Sequence, residues 1–185
     1  MVSTNNLKNG MTLKLDGDLW RVEYFQHVKP GKGGAFVRTT LKGVQSGKTI
    51  DKTFRAGEDL EQAILEKRAL QYLYREGEFL VFMDTEHFEQ TPVPAEAIGD
   101  ADRWVKEGDT IELVFHEGTV VDVNVPAAVE LAITDTEPGL QGDRVSGATK
   151  AATLETGAVV QVPLFVEPGE RVKVDTRSGS YISRA

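Results

Sequence analysis

The residues best placed to do chemistry form a short glycine-rich turn near the N-terminus. The turn lies between residues 19–28 and 35–41, which read as strands, and its sequence is Lys29-Pro30-Gly31-Lys32-Gly33-Gly34. This composition isolates one long cation, Lys32, at the tip of a hairpin. The chemistry it could do is electrostatic, namely contact with a deep, crowded and negatively charged partner. The plain alternative is an exposed hairpin turn with a solubilising lysine.

The backbone of this turn is also informative. Pro30 presets φ for the first central position of a β-turn, and Gly31 tolerates the positive φ that a type II turn needs next. Gly33 and Gly34 carry no side chain, so the backbone can approach a large partner closely. The pattern predicts a projecting hairpin whose tip lysine is exposed.

No other motif argues for an active site. Gly47-Lys48-Thr49 is similar to the end of a phosphate-binding loop, but Gly43 is one residue too close and the next segment alternates as a strand. The chain has no cysteine, which excludes thiolate catalysis and cysteine-ligated zinc. Its three histidines lie far apart in sequence, without the paired spacing of a metal site. We expect no catalytic residue, no metal, no cofactor and no enzymatic activity.

The charge of the chain is divided unevenly along its length. Through Ala56 there are ten basic and four acidic residues, a net charge of +6, whereas the remainder has 11 basic and 25 acidic residues, a net charge of −14. A basic N-terminal part that contains the lysine tip favours a polyanionic partner such as nucleic acid. No apolar run approaches the ~20 residues of a membrane helix, and no secretory signal is present, so we expect no membrane partner and a cytoplasmic location.

Short alternating runs predict an all-β protein. Residues 11–15 and 49–54 alternate apolar and polar positions, and Asp16-Gly17-Asp18 is a turn signal between runs. Four or five such strands near the N-terminus fit a small SH3-like barrel. Residues 60–83 read as a pair of strands, and residues 94–105 form the best helical segment.

The second half contains an internal repeat. Residues 108–113 align with residues 169–174, and the offset of 61 continues without a gap from residues 118–121 to 179–182. Each copy has a glycine, an acidic residue, an alternating strand, a glycine turn and a second strand. Two successive OB-type barrels would give this pattern.

The expected domains are therefore three. They are an SH3-like domain with the lysine-tipped hairpin, a central OB domain and a C-terminal OB domain, covering residues 1–64, 65–127 and 128–185. Three compact β domains in a row make an elongated molecule.

Several segments in order along the whole chain resemble the bacterial elongation factor P family. The most specific resemblance is to that family's signature near the C-terminus, and the matching segments are residues 28–33, 52–54, 72–79, 150–169 and 174–184. The resemblance implies an L-shaped mimic of tRNA, with an SH3-like domain of the KOW type followed by two OB domains. It also implies a factor that binds the ribosome between the P and E sites beside peptidyl-tRNA. Such a factor stimulates peptide bond formation and relieves stalling at consecutive prolines.

The resemblance implies roles for individual residues too. Lys32 falls on the family's loop-tip position, which reaches the CCA end of peptidyl-tRNA and is extended by a lysine-modifying enzyme in many bacteria. The remaining positions match a third-domain loop near the mRNA codon in the E site (Gly142, Asp143, Arg144 and Gly147) and positions facing tRNA and the small subunit (Tyr181 and Arg184). We expect a monomer.

The chain departs from the family pattern at three positions. Arg144 stands where threonine is usual, Ala148 where glycine is common and Ala151 where proline is common. These departures put the details of mRNA contact in doubt and leave the resemblance itself intact.

Three other interpretations stay open. The elongation-factor-P-like paralogues share the layout, although the tip Pro30-Gly31-Lys32-Gly33-Gly34 favours the true factor. Initiation factor five-A would lack the third domain that the repeat indicates. A free OB-type single-strand nucleic-acid-binding protein would need aromatic residues along a basic groove, whereas the OB-like part here carries the −14.

Overall fold

The computed structural model describes residues 1–137 and 148–185 and confirms the all-β prediction. Its strands are β1 (Val2–Ser3), β2 (Thr12–Leu15), β3 (Asp18–Val28), β4 (Phe36–Gly43), β5 (Thr49–Arg55), β6 (Asp59–Leu60), β7 (Gln62–Ala63), β8 (Glu66–Glu76), β9 (Phe79–Met83), β10 (Gln90–Pro94), β11 (Thr110–His116), β12 (Thr119–Asn124), β13 (Ala128–Thr136), β14 (Thr149–Leu154), β15 (Val159–Pro163), β16 (Arg171–Asp175) and β17 (Tyr181–Arg184). The helical elements are one turn of α-helix, α1, and two 3₁₀ segments (Ala95–Ile98, Thr4–Asn6 and Gly99–Arg103). No helix in the described part of the chain is long and apolar enough to cross a bilayer.

The sequence predicts helical structure over residues 94–105, and the structure has it over residues 95–103. It consists of α1 (Ala95–Ile98) and the 3₁₀ segment that follows it at once (Gly99–Arg103). The α-helical part ends at Gly99, whose φ of +58° lies in the left-handed region and ends the α-helical hydrogen bonding. The strand pair predicted over residues 60–83 is confirmed, since β8 and β9 are antiparallel neighbours.

The N-terminal sheet has five antiparallel strands in the order β5-β4-β3-β2-β7, and β1 pairs separately with β6. Alternate residues of these strands point inward, as a half-buried sheet requires. The core they form includes Leu13, Val22, Val37, Leu41 and Phe54, all nearly or fully inaccessible to solvent. The long β3–β4 hairpin extends from this core and ends in the glycine-rich loop.

Two further five-stranded sheets have the same topology. Their strand orders are β10-β9-β8-β11-β12 and β15-β14-β13-β16-β17, so each runs third, second, first, fourth, fifth along its own part of the chain. The repeat predicted at an offset of 61 coincides with β11–β12 in one sheet and β16–β17 in the other. The two copies lie in separate sheets, as successive OB barrels require.

The chain forms two compact units, Met1–Lys67 with Val114–Asp122, and Arg68–Leu113 with Val123–Ala185. Within the second unit, Trp104 follows the 3₁₀ segment and is only 4% exposed. Its indole belongs to the core formed by β13, β14, β15 and β16, where Leu131, Leu154 and Val172 are also buried. Trp104 therefore anchors its own segment to the C-terminal sheet.

Candidate functional site

Lys32 lies in an exposed loop that the β3–β4 hairpin positions. The strands stay paired up to Val28 opposite Phe36, which leaves the seven residues 29–35 as the connecting loop. Every residue from Lys29 to Gly34 is exposed. Within residues 1–137 and 148–185, no carboxylate lies within ion-pair distance of Lys32. The loop therefore presents an uncompensated cation to solvent.

The turn conformation differs from the prediction in one respect. Gly31 does not have a positive φ, so the predicted type II turn at Pro30 and Gly31 is wrong. The positive φ falls instead on Gly33, at +113°, a value that side chains with a Cβ rarely adopt. A connection of seven residues is too long for the two-residue turn that the Pro-Gly pair suggests, and the reversal is completed later in the loop.

Tyr181 and Arg184 both lie on β17 but in different surroundings. Tyr181 is half-buried and packs against the C-terminal core. Arg184 is exposed, and its guanidinium lies 4.5 Å from the ring centroid of Phe165. Its Nη2 also lies 3.5 Å from a carboxylate oxygen of Glu170 and 3.4 Å from the carbonyl oxygen of Phe165.

Phe165 and Glu170 were therefore missed as neighbours of a predicted site residue. Phe165 is 57% exposed. The sequence carried only a weak signal, the isolated Phe165 before Pro168-Gly169, because the contact depends on how β17 pairs with β16.

The predicted codon-facing residues Gly142, Asp143, Arg144 and Gly147 lie outside the described residues. The description resumes at Ala148, which is half-buried and leads directly into β14.

A groove in the second unit is lined by charged residues of both signs. Its members include Arg75, Asp102, Lys106 and Glu155, and they pair with one another: Arg75 lies 3.6 Å from Asp102, and Lys106 lies 3.6 Å from Glu155. Burial, with a contribution from the Glu107 carboxylate, raises the pKa of the Tyr72 hydroxyl, which also lines the groove. These two pairs of opposite charge compensate each other within the groove.

One cluster has metal-ligand residue types. Asp84, Glu86 and His87 bring one ligand atom each within 4.8 Å of one another on the exposed loop after β9. The Asp84 carboxylate, however, accepts hydrogen bonds from the backbone N–H groups of Glu86 and His87, at 2.8 and 3.3 Å. These bonds lower the pKa of the Asp84 carboxyl. Asp84 therefore caps a local turn, and this turn explains why the three side chains lie close together.

Comparison with known proteins gives matches along the whole chain. Three family models match in succession: the KOW-like domain of elongation factor P over residues 3–60, its OB domain over residues 65–123 and its C-terminal domain over residues 129–184.

The chain is also similar in sequence to full-length proteins from several bacteria. The chain is 60% identical to elongation factor P of Acidothermus cellulolyticus over 185 residues, covering 100% of this chain and 99% of that protein. It is 57% identical to elongation factor P of Salinispora tropica, with 100% of both chains covered. The protein of the same name from Streptomyces avermitilis is also 57% identical, with 100% and 98% covered.

Solved structures with similar folds cover only part of the chain. Eukaryotic translation initiation factor 5A from Methanococcus jannaschii superposes with a TM-score of 0.54 at 24% identity, covering 66% of this chain and 92% of that one. An eif-5a family protein from Naegleria fowleri gives a TM-score of 0.53 at 14% identity, covering 67% and 96%. At these identities the likeness is one of fold.

Proposed function

The chain belongs to the elongation factor P family of translation factors, and from this premise we propose that it binds the bacterial ribosome between the P and E sites. There it lies beside peptidyl-tRNA, stimulates peptide bond formation and relieves stalling at consecutive prolines. The domains assigned to this task are residues 1–64, 65–127 and 128–185. The protein works as a monomer in the cytoplasm.

The observation that carries the proposal is the position of Lys32. Paired strands support the loop up to Val28 and Phe36, and the lysine extends beyond them without a described ion-pair partner. A cation on such an arm can reach the phosphates of a CCA end while the body of the domain stays outside a narrow site. Gly33 and Gly34 let the loop backbone pass close to RNA.

The proposed mechanism is positional. Proline in a constrained backbone is a poor participant in peptide bond formation, so the ribosome benefits from an attack-ready geometry of the CCA end. Holding a reactant in place lowers the entropic part of a barrier, an effect that in principle reaches several kcal/mol. Lys32 need not exchange a proton, and the bond-forming chemistry remains that of the ribosome.

The other proposed contacts lie at the far end of the chain. Arg184 faces tRNA or the small subunit, with its guanidinium already oriented by Phe165 and Glu170. Tyr181, which is half-buried against the C-terminal core, is proposed to face the same partner. The loop with Gly142, Asp143, Arg144 and Gly147 is proposed to approach the mRNA codon in the E site.

The test replaces Lys32 with alanine. An exposed loop lysine contributes little to stability, so Lys32→Ala should fold as the parent does. We expect it to lose rescue of a reconstituted translation reaction through three consecutive prolines, while synthesis of a template without prolines is unchanged. The matched control is Lys48→Ala, which removes an exposed turn lysine elsewhere in the same unit. Equal rescue by Lys32→Ala and the parent would contradict the proposal.

The same position is a candidate for modification. If a host enzyme extends Lys32, the intact mass of protein purified from its own host should exceed the sequence mass, and the added mass should map to the peptide that contains Lys32. An unmodified mass would mean that the lysine acts unextended in this protein.

A further inference from the structure

A small hydrophobic cluster lies at the base of the β3–β4 hairpin, separate from the core of the N-terminal sheet. It joins side chains from the start of β3, from the residue after β4, from residues 63–65 and from the β11–β12 hairpin. We call it the base cluster, and its members are Leu19, Val44, Ala63, Leu65, Val114 and Val121. All of them lie in the first compact unit, although β11 and β12 are also strands of the sheet β10-β9-β8-β11-β12.

The β11–β12 hairpin is apolar and buried on both of its faces. Successive residues of a strand point to opposite faces, so Val114 lies on the face opposite to Leu113 and Phe115. All three side chains are buried, with exposed fractions of 3%, 0% and 3%. On β12, Val120 and Val121 alternate in the same way and both are buried. The face with Val114 and Val121 is therefore not a solvated sheet surface, because the base cluster covers it.

Leu19 connects this packing to the arm that carries Lys32. It is the second residue of β3, the strand that runs on to Val28 and the glycine-rich loop. Its side chain is buried in the base cluster. Its carbonyl oxygen accepts a hydrogen bond of 3.0 Å from the backbone N–H of Val44, another member of the cluster. The base of the hairpin is thus fixed both by backbone pairing and by side-chain packing.

The length of the hairpin makes its tip sensitive to the packing at its base. Leu19 and Val28 are nine residues apart on β3, which at about 3.3 Å per residue is a lever of about 30 Å. A tilt of about 5° at the base of such a lever moves its far end by about 3 Å. A displacement of about 1 Å can cost about 100-fold in a reaction that depends on alignment.

We propose that the base cluster sets the direction of the β3–β4 hairpin, and that Val114 and Val121 are positioning residues for Lys32. They act through Leu19 and β3 and need no contact with RNA. This inference rests on the proposed function, because the group that is positioned is the lysine that acts at the CCA end.

The first test is the concentration dependence of rescue. The cluster variant, Val114→Ala combined with Val121→Ala, removes side-chain volume from one side of the base cluster. Translation through three consecutive prolines is followed as the concentration of the factor is raised. A misaligned arm should lower the maximal rate at saturating factor by about 10- to 100-fold. A variant that is only partly unfolded reaches the parent's maximal rate at a proportionally higher concentration, so that result would overturn the inference.

The matched control is Val120→Ala, which makes the same change on the opposite face of β12. It should keep the parent's maximal rate, and a loss equal to that of the cluster variant would contradict a role specific to the base cluster. Circular dichroism at the assay temperature identifies the folded variants. Val44→Ala removes a partly buried member of the cluster and should lower the maximal rate in the same direction, so the test does not depend on the double variant being folded.

The second test measures the direction of the arm itself. The chain has no cysteine, so a pair of spin labels can be placed at Gln26→Cys and Thr119→Cys, two exposed positions in the first unit. Pulsed electron paramagnetic resonance should give one narrow distance distribution for the parent and for Val120→Ala. The cluster variant and Val44→Ala should give a broader or displaced distribution. The same narrow distribution in all four proteins would overturn the inference.

The inference and the proposed function fail in different ways. If Lys32→Ala loses rescue while the folded cluster variant reaches the parent's maximal rate, the base cluster does not position the lysine and the proposed function stands. If Lys32→Ala rescues like the parent, the proposed function fails, and with it the role of Val114 and Val121 as positioning residues for that lysine.

Discussion

Replacing Trp104 with alanine should destabilise the second unit strongly. The indole is 4% exposed and packs in the C-terminal core beside Leu131, Leu154 and Val172. Its ring also lies 4.9 Å from the Arg103 guanidinium, an interaction that alanine would abolish. Large-to-small replacement of a buried aromatic residue costs about 3–5 kcal/mol, since the transfer free energy is lost and the cavity closes only in part.

A loss of that size is a large share of the stability of a domain, which is about 5–15 kcal/mol in total. In guanidinium unfolding with an m value of about 4 kcal/mol/M, the midpoint should move down by about 1 M. Trp104→Phe keeps an aromatic ring and should cost about 1–2 kcal/mol, because a smaller cavity is left.

The assay can separate the two units, because the chain has only two tryptophans. In Trp104→Ala the remaining fluorescence comes from Trp20, which packs against the core of the first unit. Far-UV circular dichroism reports on both units, so the lowered transition should appear in the dichroism signal. A free energy of unfolding within about 0.5 kcal/mol of the parent would refute the assignment of Trp104 as a core residue.

Two further predictions concern the loop and acid stability. Gly33→Ala forces a Cβ onto a residue at φ +113°, which costs on the order of 1–3 kcal/mol locally, so it should impair rescue at consecutive prolines, whereas Gly31→Ala, without a positive φ, should rescue like the parent. Equal rescue by both variants would show that the loop conformation is unimportant. The Asp175 carboxylate accepts backbone hydrogen bonds from Ser178 and Arg177, which lower its pKa below the usual 3.8. Its contribution to stability is therefore fully present above pH 3.8 and lost as the pH falls through the lowered pKa, so Asp175→Asn should be less stable than the parent at neutral pH and the two should converge in acid. If the difference in free energy of unfolding between Asp175→Asn and the parent stays the same from neutral pH into acid, this prediction is wrong.

Much of the fold can be predicted from the sequence, because strand alternation and turn residues are properties of short segments of the chain. Alternation over residues 49–54 predicted a strand, and β5 spans Thr49–Arg55. The repeat at an offset of 61 predicted two similar sheets, and the strand orders agree. The exposed Lys32 followed from its glycine neighbours alone, because turn residues act through their own φ and ψ.

What the sequence by itself determined is thus the strands with a clear alternating pattern, the repeat and the cation at the hairpin tip. Only the tertiary structure decided the rest, because it depends on residues far apart in the chain. The pairing of β3 with β4 shifts by one residue at Glu23, and this β-bulge puts Tyr24 on the exposed face of the sheet. Alternation alone would place its ring in the core. The pairing of β17 with β16 decides that Arg184 meets Glu170 and Phe165. Trp104 gives no local sign that it is buried among strands from another part of the chain, since burial is a property of the packed whole.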